Sequence, residues 1–110
     1  MVFRRLRVSG WYNHGSEIIA INASHDDAFG TFCHEWGHRL HNVEMSRVDG
    51  VIRSAFARIV TPSCGICAVS PAEFFAETVY AYLCRRDELA RVDAIGLECV
   101  RNVFRIVGIE

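Results

Sequence analysis

The sequence predicts a mainly helical α+β domain, with a short β element beside the first of its helices. Four segments carry apolar residues at helical spacing, whereas residues 17–22 form a short β-branched run bounded by polar turn residues. The chain has 110 residues, of which 51% are hydrophobic and 23% are charged, a composition typical of one globular domain. We therefore expect residues 1–110 to form a single domain, either alone or as one end of a longer protein.

Net charge and cysteine content narrow the functional classes. The formal net charge is -1 and no apolar run reaches the ~20 residues of a membrane span, so we expect neither nucleic acid nor membrane as a partner. The arginines near the N-terminus are not followed by an apolar segment, so no secretory signal is visible. With five cysteines, an odd number, we expect reduced thiols and a cytoplasmic location, with export by another route left open. The oligomeric state is not indicated.

The expected helices begin and end at typical capping residues. Ser24 or Asp26 can cap the first, Ser70 is a good cap for the third, and Gly108 is a typical stop for the last. The pair Arg85-Arg86 suits the C-terminus of the third helix, where cations complement the helix dipole. These signals predict a bundle of three or four helices with approximate bounds 26–42, 46–60, 70–86 and 93–107.

Residues His34-Glu35-Trp36-Gly37-His38 form an H-E-x-x-H pattern within the first predicted helix. On a helix the two histidines are four residues apart, so they share one face and can bind one metal ion. Glu35 lies one residue round from that face, where it can take a proton from a metal-bound water. Gly37 weakens the helix, but it is useful if another backbone must come close. The pattern indicates zinc and hydrolysis, against the alternative of a solvated helix with two chance histidines.

A catalytic zinc site usually has three protein ligands, and the helix that opens at Ser70 offers the third. Glu73 and Glu77 are four residues apart and point the same way, and 35 residues separate Glu73 from His38 (73 − 38). That length lets the two helices lie side by side. One carboxylate would bind the metal and the other would accept the free ring N–H of a ligand histidine. By itself, Glu73 would be a capping-box residue bonded to the Ser70 N–H, so metal and cap would compete for its carboxylate.

The H-E-x-x-H motif followed by Ser70-Pro71-Ala72-Glu73-Phe74-Phe75-Ala76-Glu77 resembles the gluzincin metallopeptidases of the anthrax lethal factor catalytic-domain type, which include bacterial Pro-Pro endopeptidases. The resemblance spans about residues 10–83 and implies a zincin-like fold and a hydrolase, an endopeptidase that cleaves peptide bonds through a metal-activated water. It implies one Zn²⁺ per chain held by His34, His38 and Glu73, with Glu77 behind the site and Glu35 as general base. It also implies that a peptide or protein substrate binds in extended form along an edge strand of residues Ile18, Ile19, Ala20, Ile21 and Asn22.

The chain departs from that family at one position. Its members usually place a tyrosine seven residues before the ligand glutamate, where it supports the developing oxyanion, and here that position is Ile66. Tyr80 or His14 are candidates to replace it, and His41 is a candidate for a substrate contact. Two alternatives stay open: a regulatory gluzincin that cleaves a repressor, and a zinc-binding but inactive interaction module, which Ile66 favours.

A lone C-x-x-C lies in the loop before the third helix. A second zinc site would need another cysteine pair at matching spacing, and the sequence has none. We therefore expect Cys64 and Cys67 to be small loop residues without chemistry.

Overall fold

Five helices and one short β-hairpin make up the part of the chain that the computed structural model describes, residues 10–13, 18–21, 28–59 and 70–109. Strands β1 (Gly10–Asn13) and β2 (Ile18–Ile21) pair antiparallel, with Gly10 opposite Ile21 and Asn13 opposite Ile18. The helices are α1 (Ala28–Val43), α2 (Met45–Ala57), α3 (Pro71–Cys84), α4 (Arg86–Val92) and α5 (Ala94–Val107). Among the described residues, none of the helices combines the length and apolarity needed to cross a membrane.

The predicted α+β class is wrong, because the body of the domain is built from helices alone. Helices account for 89% of residues 28–59 and 70–109, and those two ranges contain no strand. The β-structure described is one hairpin of two four-residue strands, which lies next to α1. Two strands of that length cannot form a sheet layer that supports a core, so α1 packs chiefly on another helix, α3.

The predicted bounds of α1, α2, α3 and α5 are close to those observed, but two elements were not predicted. Residues 10–13 form β1, and α4 follows the end of α3 after the single residue Arg85. Arg85 breaks the helix with φ −144° and ψ 50°, so the arginine pair both ends one helix and begins the next. The caps proposed at Ser24 and Asp26 lie outside the described residues.

Capping at Ser70 and Gly108 is confirmed. The Ser70 hydroxyl accepts a hydrogen bond from the Glu73 N–H at 3.1 Å, and Pro71 occupies the first helical position. Gly108 adopts φ 83°, the left-handed conformation that favours glycine at a helix C-terminus. Because Ser70 fixes where α3 begins, it also fixes the turn on which Glu73 lies.

The core lies where α3 packs against the other helices. Phe104 of α5 packs edge-on against Tyr82 and Trp36, with ring centroids 5.3 and 6.0 Å away. Such aromatic pairs add stabilisation beyond the area that they bury. One side of α3 therefore lies in the core. Its side chains pack against fully buried residues from α2 and α5, including Val48, Ile52, Val100 and Val103.

The antiparallel helices α1 and α3 approach each other closely at Gly37. A Cβ atom there would lie 3.0 Å from the Ala76 Cα and 3.2 Å from the Val79 Cβ, tighter than ordinary van der Waals contact. The expectation that this glycine permits a close backbone approach is confirmed. Gly37 lies between His34 and His38 in the sequence. The close contact at Gly37 therefore places the α1 face that carries both histidines against α3.

We predict that Gly37→Ala destabilises the domain by about 1–3 kcal/mol, although alanine is the better helix former, because the added methyl group overpacks the α1–α3 contact. Urea unfolding measures the change. Gly50→Ala is the matched control, since nothing lies within 4 Å of a Cβ built at Gly50 in α2. That substitution should be neutral or stabilising by up to about 1 kcal/mol. Equal behaviour of the two variants would contradict the packing account.

Candidate metal centre

The two motif histidines point their distal ring nitrogens at one carboxylate. The Nε2 atom of His34 is 3.2 Å from the Glu73 Oε1 atom, and the Nε2 atom of His38 is 3.3 Å from its Oε2 atom. The imidazole rings are 5.0 Å apart between centroids and nearly perpendicular. One donor atom from each of the three residues lies within 4.8 Å of the others, so the trio is a group that can hold a metal ion.

Glu73 serves two purposes through different parts of the residue. Its backbone N–H donates to the Ser70 hydroxyl, which satisfies one of the unpaired donors at the start of α3. Its carboxylate turns away from the helix start and toward the imidazoles on α1. The expected competition between cap and metal for this side chain is thus resolved, because the serine caps without the carboxylate.

Glu77 lies one turn further along α3, behind His34. Its Oε2 atom is 3.6 Å from the His34 Nδ1 atom, slightly longer than a hydrogen bond, so we treat the contact as electrostatic. A carboxylate in this place favours a proton on Nδ1 and leaves Nε2 as the nitrogen that can bind a metal.

Charge pairing perturbs both His34 and Glu73 strongly. Burial alone would lower the pKa of His34, but the hydrogen bond to Glu73 and the nearby Glu77 outweigh it and raise the pKa to about 10. The two imidazoles hold the pKa of Glu73 far below its usual value, against the opposing effect of burial. His34 without a metal is therefore protonated at neutral pH, and a metal ion binding there displaces a proton.

Glu35 is buried, with 8% of its surface exposed. Burial raises the pKa of its carboxyl group, the neighbouring charges of His34 and His38 act against that rise, and Glu73 adds to it. A carboxyl group with a raised pKa, coupled to the charges of the site, has the character of a general base.

The donor atoms fit a divalent metal ion. In tetrahedral zinc sites the metal–nitrogen and metal–oxygen bonds are about 2.0–2.2 Å, which places neighbouring donors roughly 3.3–3.5 Å apart. The Nε2 atoms of His34 and His38 are 3.2 and 3.3 Å from different oxygens of the Glu73 carboxylate, which is close to that spacing, and one donor atom of each residue lies within 4.8 Å of the others. Two imidazoles with one carboxylate are a known zinc set, and other divalent transition metals accept the same donors.

His41, a candidate for a substrate contact, lies in the helical core and not on an open surface. It is 5% exposed, its ring packs edge-on against Phe75, and its Nε2 atom is 2.8 Å from the Asp49 Oδ1 atom on α2. Arg53 donates to the other oxygen of Asp49, also at 2.8 Å. The hydrogen bond with Asp49 links α1 to α2. Because the His41 ring is buried in this contact, the structure does not support the predicted contact between His41 and a substrate. The sequence offered no signal for the pair with Asp49.

Tyr80 lies on the Glu73 and Glu77 side of α3, seven residues beyond Glu73, or about 10 Å along the helix axis. Its side chain is half-buried, and the Arg85 guanidinium lies 5.9 Å from the ring centroid. Its role toward an oxyanion stays a prediction.

Several other predicted residues lie outside the described parts of the chain: His14, Asn22, Cys64, Ile66 and Cys67. The structure describes the backbone of the expected edge strand over residues 18–21, as β2. Among the described residues, β1 is its hydrogen-bonded partner. Pairing of a substrate with this strand stays a prediction.

Comparisons of the chain with protein-family models, with curated proteins and with solved structures find no match. The resemblance to the gluzincins therefore depends on the two sequence motifs, and these comparisons do not identify that family.

We predict that Asp49→Ala lowers the free energy of unfolding at pH 7 by about 1–2 kcal/mol, because the buried His41 ring loses its charged partner. The His41 N–H, and less strongly Arg53, hold the pKa of Asp49 below its ordinary value against the opposing effect of burial. The stabilisation is therefore present above the unfolded pKa of about 3.9 and is lost as pH falls through the lower folded value.

Urea unfolding of wild type and Asp49→Ala between pH 7 and pH 3 measures this difference, which should shrink in the acid part of the range. Asp87→Ala, at an exposed position of α4, is the matched control and should change stability little. A difference that stays constant down to pH 3 would show that the carboxylate charge is not what stabilises the pair.

Proposed function

We propose that the protein is a zinc-dependent endopeptidase in which His34, His38 and Glu73 bind the metal and Glu35 is the general base. The observation that carries the proposal is the convergence of two imidazole Nε2 atoms on the Glu73 carboxylate at 3.2 and 3.3 Å. The same donors would suit other metal enzymes. The H-E-x-x-H spacing, which adds an acidic residue beside the first ligand, favours hydrolysis.

Each residue of the site has a separate chemical task. A zinc ion held by these ligands would lower the pKa of a bound water and polarise the carbonyl group of the scissile bond. Glu35 accepts the proton of the attacking water and later transfers it to the nitrogen of the leaving amine. Its burial supports this role, because a desolvated carboxylate holds a proton more readily than an exposed one. Glu77 keeps His34 in the tautomer that presents Nε2.

The proposed substrate is a peptide segment in extended conformation. The described strand β2 lies beside α1, the helix that carries both histidines, so a peptide paired along that strand would run next to the site. The side chains of Glu73 and Glu77 are about one-third exposed, which leaves the carboxylate side of the centre accessible from solvent. A peptide bond is the substrate that this combination of strand, metal ligands and buried base favours.

The metal site is tested by elemental analysis of purified wild type, His34→Ala and Glu73→Ala. We predict about one zinc ion per wild-type chain and loss of nearly all of it in both variants, because each removes one of three ligands. Glu88→Ala, a glutamate at an exposed position of α4, is the matched control and should retain the metal. Zinc retained by both ligand variants would contradict the site, and iron in place of zinc would contradict the choice of metal.

Catalysis is tested by digesting a peptide library with metal-loaded wild type and Glu35→Gln. We predict cleavage by wild type and a loss of at least about 10²-fold in the variant, because the amide cannot accept the proton. Metal analysis of the variant is the control, since this substitution should leave the three ligands in place.

Equal cleavage by both proteins would remove Glu35 as the base. If the wild-type protein binds metal but cleaves no peptide, the proposed peptidase activity would be contradicted and an inactive zinc-binding module would be favoured. Cleavage confined to one protein partner would favour the repressor-cleaving alternative.

A further inference from the structure

Two cysteine side chains meet where the start of α1 lies against the end of α3. The Sγ atoms of Cys33 and Cys84 are 3.8 Å apart, although the residues are 51 positions apart in the sequence. Cys33 is 2% exposed, whereas Cys84 is exposed. Their separation in the sequence explains why no local pattern indicated the pair.

The differing exposure gives the two sulfur atoms different chemical roles. An oxidant in solution can reach Cys84, whereas the surrounding side chains shield Cys33 from direct attack. An accessible cysteine next to a second thiol is the arrangement in which a sulfenic acid is captured as a disulfide.

A disulfide at this position requires a small movement. The sulfur atoms must close from 3.8 Å to about 2.05 Å. Cys84 is the last residue of α3, and the non-helical Arg85 follows it, so the movement can be confined to the final turn of the helix.

We propose that Cys33 and Cys84 form a reversible redox site in which a peroxide converts the two thiols into an intramolecular disulfide between α1 and α3. The Cys84 sulfur attacks one peroxide oxygen, the O–O bond breaks, and Cys84 becomes a sulfenic acid while the other oxygen leaves as water or alcohol. The Cys33 sulfur then attacks the Cys84 sulfur, the S–O bond breaks, and the oxygen leaves as water with the Cys33 proton. The two thiols together lose two electrons to the peroxide, and a thiol reductant reverses the change.

This site is independent of the proposed metal chemistry, but it acts on the same pair of helices. Cys33 directly precedes His34 in α1, and Cys84 ends the helix that carries Glu73. Oxidation would therefore link α1 to α3 covalently whether or not a metal is bound.

Peptide mapping after oxidation tests the linkage directly. Digestion with trypsin and a glutamate-specific protease places Cys33 in peptide 18–35 and Cys84 in peptide 78–85, whereas Cys64 and Cys67 fall together in peptide 59–73. After treatment with hydrogen peroxide and without reductant, we expect peptides 18–35 and 78–85 joined, with a mass about 2 Da below their sum. Dithiothreitol should separate them.

Matched variants make the test decisive. Cys84→Ser, at an exposed position, should fold normally and lose the link, while Cys99→Ser should retain it. Cys99 is as buried as Cys33, and burial together with the charge of Asp93 raises the pKa of its thiol to about 12, so it should stay reduced. Melting in excess EDTA gives a readout that involves no metal: oxidation should raise Tm by about 5 °C or more in wild type and Cys99→Ser, but not in Cys84→Ser.

Two results would overturn the proposal. One is Cys84 joined to peptide 59–73, and the other is Cys84 oxidised beyond the sulfenic acid while Cys33 remains a thiol. A joined pair that leaves Tm in EDTA unchanged would contradict the stabilisation expected from a disulfide between α1 and α3.

Discussion

The close packing of α1 on α3 at Gly37 is the contact on which the candidate site depends. Where the two backbones approach closely, the Glu73 carboxylate reaches both histidines of the facing helix. Two imidazoles and a carboxylate gathered in this way are costly to desolvate unless they are paired or bind a metal. Glu73 provides the pairing, and the strongly shifted pKa values of His34 and Glu73 follow from it.

Helix α3 belongs to both the core and the site. Phe74 and Phe75 are fully buried, while Glu73 and Glu77 turn their carboxylates toward α1 and remain partly exposed. The core therefore holds the ligand-bearing helix in register, with the Ser70 cap setting its first turn. A change in the packing of the phenylalanines would be expected to reach the ligands, because both lie on the same rigid element.

The sequence predicted the grouping of His34, His38 and Glu73 better than it predicted the architecture. Histidines four residues apart and a capped helix with two glutamates are local patterns, so their faces follow from helix geometry. The α+β class was wrong because a short β-branched run shows that a strand can form, not that a sheet layer supports the core. The contacts between His41 and Asp49 and between Cys33 and Cys84 depend on how whole helices pack, which periodicity does not specify.

The coordination of bound metal tests the central claim most directly, because it reports the ligand atoms themselves. X-ray absorption spectroscopy of the zinc-loaded protein should show nitrogen and oxygen neighbours at about 2.0–2.2 Å, with the outer-shell scattering of two imidazole rings. The zinc signal should be nearly absent in His38→Ala, because that variant removes one of the three ligands. Sulfur neighbours at about 2.3 Å would contradict the account, since they would mean that cysteines hold the metal instead of His34, His38 and Glu73.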